Sequence, residues 1–222
     1  MAKYENIRAL AKKQLQTVTE SSDRWKEFLR TAAIAYNYSF PNQLLIYAQN
    51  PTATAVADMD YWNKNAGRRV KRGAHGTAVF DTRANSPRLR YLFDISDTIP
   101  IHEISEALPW AVTDQNWKPV WDKIIVDNHA DSIQSALLMI STSYVAQRSA
   151  MFTTALEKAV DGSSLQWAKP NEQRRLFLQI VTQSCLYMAA LRCGVDTARL
   201  DLSALESVGQ FDTNRIALCL GS

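Results

Sequence analysis

One short stretch limits the folds open to this chain more than any other: residues 88–96, RLRYLFDIS, where apolar side chains recur with a period of two. Successive side chains of a strand point to opposite faces of its sheet. Leu89, Tyr91, Phe93 and Ile95 then share one face, and Arg88, Arg90 and Leu92 the other. This predicts a half-buried strand with Tyr91 in the core and basic residues on its open side. Upstream, TAVFDTR at 77–83 reads as a second strand and Asn85-Ser86-Pro87 as the turn between them. Two such strands joined by a short turn predict an antiparallel hairpin.

Elsewhere the period is that of a helix. Residues 3–19 carry a partial apolar face of Ile7, Leu10, Leu15 and Val18. A second helix is expected over 24–38, where Trp25, Phe28, Leu29, Ala32, Ala33 and Tyr36 recur at helical spacing behind the capping oxygens of Ser21, Ser22 and Asp23. Phe40-Pro41-Asn42 is expected to break it, with QLLIYAQN following as a short helix. A β-leaning run at 53–57 leads to a helix, DMDYWNKN, capped by Asp58 and stopped by Gly67. Arg69-Val70 and the turn KRGAHG come next. The strongest helical patterns are SIQSALLMISTSYVAQR at 132–148 and NEQRRLFLQIVTQSCLYMAALR at 171–192. Their Leu137, Leu138, Ile140, Leu176, Ile180, Val181, Leu186 and Met188 read as core. LSALESVG and TNRIALCLGS are also helical in pattern. Residues 99–130, rich in Pro and Trp, read as a connector. The expected class is α+β. A small antiparallel β-sheet with flanking helices occupies 1–98, the connector 99–130, and a helical part 131–222. The chain stops at Ser222 inside an uncapped apolar run, as a piece of a longer protein would.

Charge is where the sequence speaks about function. The net charge of +3 conceals an asymmetry. Residues 64–90 carry Lys64, Arg68, Arg69, Lys71, Arg72, Arg83, Arg88 and Arg90 against one acid, Asp81, a local net of +7, whereas 91–222 has a net of −5. A local excess of one sign attracts a polyanion whatever the total. In the turn VKRGAHGTAV, Gly73 and Gly76 permit positive φ and close backbone approach, and Lys71, Arg72 and His75 can meet phosphate. No GK[ST] follows, so this is not a P-loop. Aromatic rings among cations suit unpaired nucleic acid, since bases stack while the backbone meets charge. Trp62 and Tyr91 read as core residues, which leaves Tyr61 as the stacking candidate.

No other chemistry emerges. Cys185, Cys193 and Cys219 are odd in number and contain no CxxC pair, so they read as small buried thiols. His75, His102 and His129 are isolated, and neither metal nor cofactor is expected. Asp94, Asp97, Glu103 and Glu106 could hold Mg²⁺ for phosphodiester cleavage, but an acidic connector at a helix start explains them more simply. No stretch approaches the ~20 apolar residues that span a bilayer, and the N-terminus has no hydrophobic signal segment. The chain is expected to stay in the cytoplasm, without a membrane partner.

NYSFPNQLLIYAQN, YWNKNAGRRVKRGAHGTAVF and RLRYLFDISDT stand in this order between about residues 28 and 98. Together they resemble the N-terminal domain of ArdC-type antirestriction proteins and the related LtrC-like domain of large mobile-element proteins. The resemblance covers about a third of the chain. It implies binding of single-stranded DNA by a mobile-element protein that shields incoming DNA from host defence. ArdC proteins also carry a C-terminal metalloprotease-like domain with HExxH. Here His102-Glu103-Ile104-Ser105-Glu106 ends in Glu where the second His would stand, so no protease activity is carried over.

The expected function is therefore non-enzymatic, sequence-tolerant binding of single-stranded DNA, with double-stranded DNA as a further possible ligand. The expected contacts are Tyr61, Lys64, Arg68, Arg69, Lys71, Arg72, His75, Arg83, Arg88 and Arg90. The rival is a protein-binding inhibitor of a host defence nuclease, of anti-CRISPR type. In it the basic segment docks on the nuclease or its nucleic acid, or the acidic helical half fills a basic DNA channel. A metal-dependent nuclease is the third class.

Overall fold

A computed structural model of the chain describes residues 2–84, 86–101, 112–212 and 215–217. Asn85, His102, Glu103, Ile104, Ser105, Glu106, Cys219 and Ser222, all named above, lie outside the described residues. The class is α+β, with small antiparallel sheets in the N-terminal half and a helical C-terminal part. Packing divides the chain into two units, residues 1–14 with 34–110 and residues 15–33 with 111–222. This differs from the expected 1–98, 99–130 and 131–222. Residues 15–33 go with the helical half. The supposed connector contains a strand and an eleven-residue helix.

In the first unit α1 (Ala2–Thr17) leads the chain, and α2 (Ser22–Ile34) ends where this unit resumes. That end is four residues short of the expected one. Pro41 does not break a helix but opens α3 (Phe40–Gln49) from its first turn, where its missing N–H is not needed. Strand β1 (Val56–Ala57) precedes α4 (Met59–Lys64), whose N-cap Asp58 accepts from the Tyr61 backbone N–H at 2.9 Å. Then come β2 (Arg68–Val70), β3 (Thr77–Phe80), β4 (Leu89–Asp94) and β5 (Thr98–Pro100). The expected hairpin is present: Ala78 pairs with Tyr91 and Phe80 with Leu89, and the sheet runs in the order β1-β4-β3. β2 pairs with β5 in a separate two-stranded sheet.

The phase of β4 is opposite to the expected one. Leu92 and Asp94 are buried, and Tyr91 is 38% exposed. Val79 and Leu92, near each other across the hairpin, pack with Leu45 and Ile46 of α3 and with Val56. Phe93 and Ile95 pack instead beside Trp62, which is fully buried.

The second unit gathers α2, α5 (Trp117–Asp127), α6 (Ile133–Gln147), α7 (Met151–Val160), α8 (Pro170–Arg192) and a 3-10 stretch at Ser203–Gln210. Ser132 caps α6 by accepting from the Ser135 N–H, and Pro170 opens α8. Helix α7 was not among the expected elements. Ile133, Leu137, Leu186 and Ala190 form a core against which Trp121 and Ile124 pack. Trp25 is buried and donates its indole N–H to Ser184 Oγ at 2.9 Å. Leu138 and Ile140, expected in the core, are exposed. Cys185 and Cys193 are free and half-buried, and burial pushes both thiols above their ordinary pKa.

Candidate nucleic-acid interface

The expected contact residues all lie in the sheet-bearing unit, but they do different things there. Strand alternation separates Arg68 from Arg69. Arg68 is half-buried and donates from Nε to Thr98 Oγ1 at 2.7 Å, tying β2 to β5, whereas Arg69 stands exposed. Lys71 anchors the glycine turn: its Nζ donates to the Ser96 carbonyl at 2.7 Å and its backbone N–H to the Asp97 carbonyl at 2.9 Å. Arg72 and His75 follow in the turn, both exposed. Lys64 sits one helical turn from Asp60 at 3.7 Å, and Arg83 lies 3.5 Å from Asp81; both cations face solvent. Arg88 is exposed just ahead of β4. Among the described residues, no carboxylate lies within 4.0 Å of Arg69, Lys71, Arg72 or Arg88.

Arg90 is a correction. It was expected on an open face, yet only 22% of its side chain is exposed. Its guanidinium lies 5.3 Å from the Tyr38 ring centroid and 3.8 Å from Asp58, and its Nε has no hydrogen-bond partner among the described residues. It packs more than it projects. Tyr61 is half-buried, edge-on to Trp62 at 5.8 Å between centroids, so much of its ring serves the Trp62 cluster.

The two glycines of the turn have distinct reasons to be glycine. Gly73 has a φ of +83°, which L side chains rarely adopt. Gly76 has no positive φ, but a Cβ there would lie 2.9 Å from Tyr91 Cβ and 3.0 Å from Phe93 Cζ. Its missing side chain lets the basic turn press against β4.

Two polar side chains from the asparagine-containing segment hold the hairpin. Asn42 donates Nδ2–H to the Phe80 carbonyl at 3.0 Å and accepts the Phe80 N–H at 2.9 Å. Gln49 does the same to both backbone groups of Ala78, at 2.9 and 3.0 Å. The residues are seven apart, and so lie on one face of α3. They cover the edge of β3, the kind of unpaired row that otherwise recruits another strand. Sequence reading gave Asn42 only a part in a helix break and Gln49 no role. The available signal was the carboxamides Asn42, Gln43 and Gln49 in an otherwise apolar helix.

Asp94 is buried and accepts from the backbone N–H groups of Thr54 at 2.7 Å, Ala55 at 3.0 Å and Ser96 at 3.0 Å. Burial pushes its pKa up, but the donors of Ser96, Ala55 and Thr54 outweigh it and hold the carboxyl below its ordinary value. Asp97 in turn accepts from the Asp94 N–H at 3.3 Å. These carboxylates organise backbone. No group of three or more His, Cys, Asp or Glu side chains gathers in metal-binding proximity among the described residues.

A ring and a cation missed by sequence reading also meet here. The Lys3 ammonium lies 4.9 Å from the centroid of the exposed Tyr91 ring, and Tyr4 packs against Phe80 at 5.4 Å. Comparison with protein-family models, curated proteins and solved structures gives no match to this chain.

Proposed function

We propose that this chain binds single-stranded DNA without marked sequence preference, as an antirestriction-like protein of a mobile element that has no catalytic role of its own. The observation that carries the reading is the set of exposed cations Arg69, Lys71 and Arg72 beside a glycine turn, with Arg88 exposed at the other end of the hairpin, none having a carboxylate within ion-pair distance among the described residues. Cations left uncompensated at one place sum their fields instead of cancelling them, and phosphate neutralisation releases condensed counterions. Exposed aromatic surface beside them favours unpaired over paired strands. The motif order resembling ArdC-type N-terminal domains supports the same partner.

The test is a gel-shift titration of single- and double-stranded DNA at several salt concentrations. With four to six phosphates neutralised, log K should fall with log salt at a slope of roughly −3 to −4. A slope near zero with affinity retained would exclude electrostatic capture.

One observation favours the second reading, a protein-binding inhibitor of a host defence nuclease. On α6, Ile140 and Tyr144, one turn apart and so on one face, are both exposed, and exposed apolar surface is more often covered by protein than by DNA. Failure to bind bare oligonucleotides, with capture by a nuclease complex, would move the function to that class. Mg²⁺-dependent cleavage of a labelled strand would move it to a metal-dependent nuclease. No helix among the described residues is long and apolar enough to cross a membrane, and we place the protein in the cytoplasm, where incoming DNA meets host nucleases.

A further inference from the structure

Tyr91 is an odd residue to find half outside. It sits mid-strand in β4, opposite Ala78, with Leu92 beside it fully buried. Residues directly opposite on antiparallel strands point to the same face. On the face carrying Tyr91 the residue directly across is small Ala78, flanked by Phe80 on one side and on the other by Gly76, whose missing Cβ would otherwise touch Tyr91 Cβ. One cation meets the ring directly. Lys3, from the first turn of α1, holds its ammonium 4.9 Å from the ring centroid. The turn bearing Lys71, Arg72 and His75 reaches β3 through Gly76, at the foot of the same ring.

Resting on the reading above, we infer that Tyr91 is a base-stacking residue of the interface and that Lys3 belongs to the same site, pairing with the phosphate of the stacked nucleotide. An aromatic face accepts any base, because every base has a π-face, and a nearby cation neutralises the backbone that comes with it. Tyr91 would thus recognise the unpaired base, while the turn recognises only charge. The ligand class is single-stranded nucleic acid with accessible bases, and a bare polyphosphate backbone should lack the Tyr91 contribution.

The experiment compares, on the full chain, a labelled oligothymidine of roughly 12 nucleotides, within the usual site sizes, with an abasic strand of equal length. Wild type should prefer the strand with bases by about tenfold, the size of one good stacking contact. Tyr91→Leu should lose most of that preference while keeping its salt slope, and Tyr91→Phe should keep it. Tyr91→Thr, β-branched and suited to a strand, repeats the test should the leucine variant melt early. Lys3→Gln should flatten the salt slope by about 0.7, one phosphate's worth on a single strand. If wild type binds neither strand, the proposed function fails and the stacking site with it. If wild type binds and both Tyr91→Leu and Tyr91→Thr retain the full preference for bases, the function stands and the stacking site is overturned.

Discussion

Ion pairs occur in both units, but around the glycine turn of the sheet-bearing one several exposed cations have no carboxylate beside them among the described residues. In the helical unit Lys118 and Lys123 sit 2.9 and 3.0 Å from Asp122 and Asp127, one turn along α5. Lys26 reaches Glu206 at 3.0 Å, and Arg215 reaches Asp161 at 2.8 Å. In the sheet-bearing unit Arg69, Lys71, Arg72 and Arg88 have no such partner among the described residues. Exposed pairs of the first kind contribute little to stability, about 0–1 kcal/mol each, so the difference between the units says little about folding. It concerns field. Paired charges cancel beyond a Debye length of ~8–10 Å, whereas unpaired ones of one sign reach outward to a polyanion. Exposed apolar side chains do not divide in this way: Leu138, Met139, Ile140 and Tyr144 are exposed in the helical unit, and Tyr36, Met59, Tyr91, Ile99 and Ile101 in the sheet-bearing one.

Reversal of charge in each unit should break the symmetry between them most visibly. Arg69→Glu with Arg72→Glu removes two attractions and adds two repulsions at one place. Affinity for a single strand should fall on the order of a hundredfold near 0.1 M salt. Both residues are exposed, so the melting temperature should hardly move. The matched reversal of Arg174 and Arg175, exposed on α8, should leave affinity unchanged. Loss of binding in the α8 variant, with binding kept in the turn variant, would put the site in the helical unit.

The sheet-bearing unit should also be the one whose stability depends on a carboxylate. Asp94→Asn weakens a charged acceptor shared by three backbone N–H groups and places an amide donor among them, at a cost of about 2–3 kcal/mol in chemical denaturation. The folded pKa of Asp94 is depressed below its unfolded value of about 3.9. Its contribution is therefore complete above roughly pH 5 and is lost as pH falls through the folded pKa. Wild-type stability should drop over that acid window, and the Asp94→Asn variant should show a shallower pH dependence there. Equal slopes would show that the N–H cluster does not distinguish the charged from the neutral side chain.

Asn42→Ala should cost less, about 1–2 kcal/mol, because it leaves the Phe80 N–H and carbonyl seeking other partners. The variant should also self-associate more, since it uncovers half of the guarded edge of β3. Analytical ultracentrifugation at rising concentration reads that second effect, and a monomer as stable as wild type would show the edge to be covered by something else.

What the sequence revealed and what it hid divide along physical lines. The hairpin, α6 and α8 were legible because long apolar periodicities have few competing explanations. The phase of β4 was misread because apolar residues crowd the wrong face. The buried face carries Leu92 together with Arg90 and Asp94, and each polar group is buried against specific partners, Tyr38 and Asp58 or the N–H groups of residues 54, 55 and 96. A polar side chain buried in this way has the composition of a surface one. Helix α7 escaped for the opposite reason: Ala150 at its start offers no capping oxygen. Of the candidate contacts, the exposed cations of the turn were readable as local charge. Tyr91 was read as core because the phase of its strand was misread, and Lys3 was not readable as its neighbour, since 88 residues separate them in sequence.

The smallest expected effect sharpens the same division within the hairpin itself. Arg88 and Arg90 are two residues apart with identical charge, and sequence alone ranks them equally. Arg88 is exposed, so Arg88→Gln should cost about three- to fivefold in affinity and reduce the salt slope by about 0.7. Arg90 spends its guanidinium on the Tyr38 ring and on Asp58, 3.8 Å away, so little of its charge faces outward. Arg90→Met keeps most of the packing length and removes a half-buried charge whose Nε lacks a partner among the described residues. Replacing such a group by an apolar one of similar volume is often neutral for stability, although Asp58 keeps its own charge and its N-cap bond to Tyr61. Affinity should stay within about twofold of wild type, with the salt slope unchanged to within about 0.3 of its value, less than one phosphate's worth. Equal losses for Arg88→Gln and Arg90→Met, measured by titration of a labelled single strand at three salt concentrations, would show that Arg90 swings away from Tyr38 to reach the DNA.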